Sequence, residues 1–344
     1  MNALLMTLAI VAAPANQLTA PKSGSSFRGL ACSGDVICVA GNGPEVWISE
    51  DSGLTWKNRT PQETNVTDYR CVAIPSGDDP NRPTILLASA GSPAVILRST
   101  DRGLHWTRVY ENEHPSAFLD ALRFWDQNHG LAFGDPIDGR FLILATQDGG
   151  RSWRPCPCEI AAIEGEAGFA ASNGSITLAQ PATAMIGLGG RKDGGPSRVL
   201  RTSDAGRTWA VSEVPPIPAG PSSGVFAIDL RSDGVGIAVG GTYEQTENPA
   251  GNIAVTRDAG RTWAVPTDRP PGYRSSIVSV VDKNGKNSAW VVTGPSGTDL
   301  SFDGQRWQPL GQSGFHSLRP RGDGTIVACG SEGRMTVLRP FEIQ

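Results

Sequence analysis

One short motif recurs six times along this chain, and its spacing restricts what the chain can fold into. The copies are Ser49-Glu-Asp51-Ser-Gly53-Leu-Thr-Trp56, Ser99-Thr-Asp101-Arg-Gly103-Leu-His-Trp106, Thr146-Gln-Asp148-Gly-Gly150-Arg-Ser-Trp153, Thr202-Ser-Asp204-Ala-Gly206-Arg-Thr-Trp209, Thr256-Arg-Asp258-Ala-Gly260-Arg-Thr-Trp263 and a clipped Ser301-Phe-Asp303-Gly304-Gln-Arg-Trp307. Successive copies begin 50, 47, 56, 54 and 45 residues apart. A period of about 40–50 residues with strand-forming flanks marks a β-propeller, whose repeats are single blades.

The chemistry of the motif is that of a turn. The carboxylate accepts hydrogen bonds from nearby backbone N–H groups, and Gly supplies the positive φ. The Trp opens the following strand and is expected to bury its ring against its own sheet. Six equivalent acids in six equivalent turns read as structure rather than as a catalyst. Between motifs the order is fixed: an aromatic-led strand, a turn, a second strand ending in Gly, a loop, a third strand, the Asp turn, the Trp strand. Repeats open at Phe27, Tyr69, near Phe118, near Phe169, near Phe226, at Tyr273 and at Phe315. The seventh stops without its Asp turn, and residues 16–22 are left over at the start. The expected fold is therefore all-β, a seven-bladed propeller of four-stranded antiparallel blades. Its last blade would be closed by the N-terminal strand, which leaves no long open edge.

Residues 1–15 stand apart from this domain, which runs from 16 to 344. Leu4 to Ala13 is an apolar run too short to span a bilayer, and Ala13-Pro14-Ala15 matches a signal-peptidase site. Export to the periplasm or beyond is the expectation, although the run lacks Lys or Arg and also suits an apolar strand that stays in place. No later apolar run has membrane length. A net charge of −4 and no long basic run argue against nucleic acid as a partner. Six cysteines are too few for a disulfide scaffold. Cys32 and Cys38 flank a hairpin turn and read equally as a disulfide or as two buried thiols. Cys156-Pro-Cys158 has neither redox nor zinc spacing. The four histidines, His105, His114, His129 and His316, include no i, i+4 pair, so neither a metal nor any other cofactor is expected. Arg321-Gly322-Asp323 and the acceptor-like Asn58, Asn65 and Asn173 triplets read as turn chemistry and chance matches.

Inner strands begin on one face of the disc, as do the loops between second and third strands; the Asp turns fall on the other. The first face carries Arg28, Arg70, Asp120, Glu164 or Glu166, Arg274 and His316. Its loops add Asp135, Asp138 and Arg140, then Arg191, Lys192 and Asp193, then Tyr243 and Glu244. Repeated Arg at the mouth of an inner strand costs desolvation unless it meets a partner or an anion. Two readings follow. The arginines form a cationic rim that grips a carboxylate or acidic peptide, or they pair with Asp120, Glu166 and carbonyls and staple blades together.

The Ser/Thr-x-Asp-x-Gly-x-x-Trp motif resembles the Asp box of bacterial neuraminidase-type repeats. The phrases Phe118–Trp125, Gly134–Phe141, Gly165–Ser172 and Gly272–Ser275 resemble non-photosynthetic bacterial relatives of the photosystem II stability/assembly factor family. That resemblance implies a seven-bladed exported chaperone without catalysis of its own, monomeric, with an arginine-lined face meeting a protein or peptide partner. It places Arg28, Arg70 and Arg274 at the contact. The lipid-anchoring Cys common in cyanobacterial members does not follow Ala15. The rival is a sialidase-like or other glycoside hydrolase on the same face. Three arginines would clamp a carboxylate there, with Asp120, Glu166 and a tyrosine, Tyr273 among Tyr69, Tyr243 and Tyr273, as the catalytic set. Against it, the Arg-Ile-Pro tripeptide of sialidases is replaced by Arg28-Gly29-Leu30, and no long insertions wall a sugar pocket.

Overall fold

The second strand of the first repeat, Val36–Gly41, is buried at every position, a pattern that requires cover on both faces of its sheet. The computed structural model supplies that cover from neighbouring blades. It describes residues 18–62, 65–77, 83–179 and 181–342, so the expected signal segment 1–15 lies outside the described residues. Seven antiparallel sheets follow one another along the chain, which is the seven-bladed propeller expected. Blade 1 comprises Phe27–Ser33, Val36–Gly41, Val46–Ser49 and Lys57–Asn58. The inner strands of blades 2 to 7 are Tyr69–Ala73, Leu119–Phe124, Ile176–Ala179, Ser223–Leu230, Ser276–Val281 and Ser317–Pro320. Consecutive inner strands touch, and that of blade 7 returns to that of blade 1, closing the ring.

The Asp turns fold as their chemistry dictates. In blade 4, Thr202 Oγ1 donates to Asp204 Oδ1 at 2.7 Å and accepts the Gly206 N–H at 3.0 Å. The carboxylate then accepts the Thr208 N–H at 2.9 Å and its hydroxyl at 2.6 Å. Those Thr208 bonds hold Asp204 down to about 2. The carboxylate is therefore spoken for. These turns share a face with the hairpins between first and second strands, since Ser52 N–H donates to Asp35 O at 2.9 Å.

One expectation is extended and two need correction. The motif tryptophans sit in the seams between blades, so that Trp153 meets Phe124 of its own blade edge-on at 5.8 Å and also joins a cluster shared with the preceding blade. Trp106 joins the cluster between blades 1 and 2 and donates to Arg59 O at 2.9 Å. Trp153, Trp209, Trp263 and Trp307 occupy the corresponding clusters but do not make that hydrogen bond. Trp209 donates to Gly206 O of its own turn at 3.1 Å, and the other three indole N–H groups have no partner among the described residues. Next, Cys32 and Cys38 are not cross-strand partners. Cys38 pairs with Ala31 and Cys32 with Ile37, and a one-residue offset sends the side chains to opposite sheet faces. All six thiols are free. Finally, blade 7 has three strands among the described residues, ending with Met335–Leu338. The leading segment adds no strand to it among the described residues, although Ser25 O accepts the Gly333 N–H of blade 7 at 2.8 Å. Further back it reaches the first Asp turn, where Thr19 N–H donates to Gly53 O at 2.8 Å and Trp56 to Thr19 O at 2.8 Å. Blade 5 is also three-stranded, with Ala264 making an isolated bridge to Val255. The join between blades 7 and 1 rests instead on the Phe27 N–H to Gly330 O bond at 3.1 Å and on Phe27, Leu30, Ile37, Val39, Val327 and Cys329, all fully buried.

No helix among the described residues is long and apolar enough to cross a membrane.

Candidate functional site

The channel at the ring's centre is filled by the chain itself. Blade 4 does not open near Phe169 as its repeat implies; its inner strand starts at Ile176, and the residues before it run into the pore. Three consecutive carbonyls of this plug are each met by a guanidinium from a different blade. Ala171 O accepts from Arg28 of blade 1 at 3.4 Å, Ser172 O from Arg319 of blade 7 at 3.3 Å, and Asn173 O from Arg123 of blade 3 at 3.2 Å. Ser172 Oγ donates to Ser275 O of blade 6 at 2.6 Å. Asn173 Oδ1 accepts the Leu122 N–H at 2.7 Å, while its Nδ2 donates to Val72 O at 2.9 Å and Leu122 O at 3.1 Å. Asn173 holds φ +57°, the left-handed region that Asn tolerates better than most residues.

Above the plug, on the face away from the Asp turns, lies a pocket of about 400 Å³ lined by Arg28, Arg70, Tyr243, Tyr273, His316 and the plug residues Phe169 to Ala171, among others. The aromatic side centres on Phe226. Phe169 stacks on it at 3.8 Å, and Tyr273 and Tyr243 meet it edge-on at 4.8 and 6.1 Å. The cationic side is Arg28 and Arg70. Arg70 Nε is tied to Asp68 at 2.6 Å and the side chain stays one-third exposed. Among the described residues Arg28 has only the long bond to Ala171 O, and burial, then the Arg70 charge, lowers its pKa. That is an under-partnered cation held next to another, a setting that favours an anion. His316 adds no charge. Burial, then Arg28, Arg334 and Arg70, pushes it down to about 3, and its Nε2 sits 3.1 Å from Ser331 Oγ. Burial likewise lifts the Tyr273 hydroxyl well above the usual phenol range, with Arg28 opposing.

The remaining sequence candidates are elsewhere. Arg274 follows an aromatic just as Arg28 does, yet it is fully buried and turned away from the pocket. Its Nε and Nη2 bond Asp299 Oδ2 at 2.9 and 2.5 Å, and Nη1 bonds Tyr273 O and Ser296 Oγ, both at 2.9 Å. For this residue the stapling alternative holds. Glu166 is clasped by Arg198, through Nε at 2.7 Å and through Nη2, and also accepts the Ile163 N–H at 3.0 Å. Arg191 is locked to Asp193 at 2.9 and 2.7 Å and to Pro196 O at 2.7 Å. Asp120 and Asp135 form a buried carboxyl pair. Burial and the Asp135 charge hold Asp120 well above the ordinary carboxylate range. Asp135, raised by burial, accepts the Gly168 N–H at 3.0 Å. Asp120 Oδ2 has no donor as a carboxylate; protonated, it becomes one. Of the hydrolase set, then, only Tyr273 reaches the Arg28–Arg70 pocket, and Asp120 and Glu166 are engaged by other partners. Among the described residues no cluster of three or more His, Cys, Asp or Glu has metal-holding geometry.

Sequence reasoning missed Arg123, Arg319, Ser172 and Asn173. The available signal was the 56-residue interval between the third and fourth motifs, the longest of the five, together with an Asn173-Gly174 turn where a strand should begin.

No family model and no curated protein matches this chain. Solved structures do. "YCF48 bound to D1 peptide" aligns with TM-score 0.60 at 14% identity, covering 97% of this chain and 98% of that one. YCF48 from Cyanidioschyzon merolae aligns with TM-score 0.61 at 14% identity, covering 95% and 99%. The WD40 repeats of RRP9 align with TM-score 0.63 at 13% identity, covering 94% and 96%. This chain shares their fold. Identities this low carry the propeller and nothing finer.

Proposed function

We propose that this chain is an exported, non-catalytic propeller that binds a protein or peptide partner in the pocket above its plug, gripping a carboxylate or acidic segment with Arg28 and Arg70. It would stand with the bacterial relatives of the photosystem II assembly factor. The observation that carries the reading is Arg28, a half-buried guanidinium with one 3.4 Å bond to protein among the described residues, facing a pocket whose opposite wall is aromatic. A carboxylate completes the unpaired donors, and the Phe226 cluster receives an adjoining apolar side chain. One similar structure holds a D1 peptide, so a propeller of this shape has a peptide-binding precedent. The Leu4–Ala13 run with Ala13-Pro14-Ala15 supports export, which mass spectrometry of the mature N-terminus in a periplasmic fraction tests.

The binding experiment uses fluorescence polarisation with a labelled peptide library of acidic, neutral and C-terminally amidated members. Acidic or free-carboxylate peptides are expected to bind, more weakly as salt rises. The double substitution Arg28→Ala, Arg70→Ala abolishes binding while circular dichroism and melting stay near wild type. Equal binding by the double variant removes the assignment. Turnover of any aryl glycoside that survives rigorous purification and is lost with the pocket substitutions removes the non-catalytic part.

A further inference from the structure

The plug divides the channel, and the chamber beneath it is lined quite differently from the pocket above. At the ends of the inner strands nearest the Asp turns, Cys32, Ile74, Arg123, Asp229 and Ser279 are all half-exposed, in contrast to the buried residues before them. The strand ends are therefore incompletely covered on that side of the plug. Two guanidinium groups meet there from blades 3 and 7, anchored to the adjacent carbonyls Asn173 O and Ser172 O. Arg123 commits only its Nε, so its two terminal nitrogens have no protein acceptor among the described residues. Arg319 commits Nη1 to Leu318 O at 2.6 Å and Nη2 to Ser172 O, and its Nε has none.

One acid, Asp229, faces the pair and its charge partly offsets theirs. Among the described residues neither arginine forms an ion pair with it, and Asp229 already accepts the Leu230 N–H at 3.0 Å and the Ser279 N–H. Burial, then the Arg123 charge, pulls Arg319 down to about 9, with Asp229 opposing too weakly to restore it, as expected for like charges held together where burial outweighs the nearby acid. Two cations against one acid, five uncommitted or shared donor nitrogens and incompletely covered strand ends suit an anion.

We propose that the chamber below the plug binds a small inorganic anion, halide or nitrate in size, between Arg123 and Arg319. The site is independent of the carboxylate pocket, which opens on the other face. Occupied, it offsets the repulsion between the arginines and ties the plug's carbonyl clamps together.

The test pairs crystallography with melting. Crystals grown in bromide are expected to show an anomalous peak between the two guanidinium groups. In solution, chloride replacing the bulky gluconate at constant ionic strength raises the melting temperature saturably, by about 2 °C or more. Arg123→Gln abolishes the chloride response, and the Arg28→Ala, Arg70→Ala protein retains it. Arg123 has a single hydrogen bond to protein, so this variant keeps the test valid if Arg319→Gln fails to fold. Absence of a peak below the plug, or an unchanged chloride response in Arg123→Gln, overturns the proposal. A response lost only in the Arg28, Arg70 variant also overturns it, and assigns the anion to the upper pocket.

Discussion

Asn173 is where the plug is most exactingly held, and Asn173→Ala is the perturbation that measures the plug's contribution. The side chain is fully buried. Its removal strands the Leu122 N–H, bonded at 2.7 Å, and takes a donor from Val72 O and from Leu122 O. A buried N–H left without a partner costs about 1–3 kcal/mol, and each weakened carbonyl about 1 kcal/mol. Ala at φ +57° adds about 1 kcal/mol of backbone strain that Asn largely avoids. Together the loss is about 5 kcal/mol, which at about 2.1 cal/mol/K of unfolding entropy per residue corresponds to a fall in melting temperature of about 7 °C for a chain of this size. Asn173→Gly loses the same hydrogen bonds but takes the left-handed conformation freely, so it is expected to be about 1 kcal/mol less damaging. Urea unfolding of the three proteins gives the free energies. Amide exchange at Leu122 reports whether the loss is local. Both variants lying within 1 kcal/mol of wild type, with Leu122 still protected, would refute the role given to the plug.

Arg198→Ala leaves Glu166 buried with one backbone donor, and urea unfolding should register a loss of about 3–5 kcal/mol; the double variant Glu166→Gln, Arg198→Met should recover most of it. For Asp120 the folded-state pKa is raised, so the stability linked to its protonated form is complete below the unfolded carboxylate pKa and is lost as pH rises through the folded value. Asp120→Asn fixes the neutral form, and stability measured from pH 4 upward should fall less steeply in the variant; parallel curves would show that the Asp120–Asp135 pair does not share a proton.

What was legible in the sequence was the periodic part. Six Asp turns at near-equal spacing fix blade number and also phase, because each turn sits at one place in its blade. The pocket followed from phase: Arg28, Arg70 and His316 each follow an aromatic at the mouth of an inner strand, and they converge. Arg274 obeys the same local rule and fails because Asp299, two strands away in its own blade, offers a better partner. Glu166 is withdrawn in the same manner by Arg198, 32 residues further on. Such choices rest on which long side chain finds a mate across strands, and spacing does not encode that. The plug was hidden because Phe169-Ala-Ala-Ser-Asn-Gly174 imitates the opening of an inner strand: an aromatic followed by small residues. Closure by a leading strand was an extrapolation from edge protection; among the described residues the leading segment instead divides its bonds between Gly333 of blade 7 and Gly53 and Trp56 of blade 1.

A wheel with a hub obeys different rules from a ring fastened at its rim. Segment 171–174 touches strands of blades 1, 2, 3, 5, 6 and 7, so one short stretch of blade 4 gauges the diameter of the whole circle. Adding or deleting a blade would move the spokes out of reach of their carbonyls. Tolerance to blade duplication, common in the evolution of repeat proteins, is therefore expected to be low in this chain unless the hub is redesigned with it.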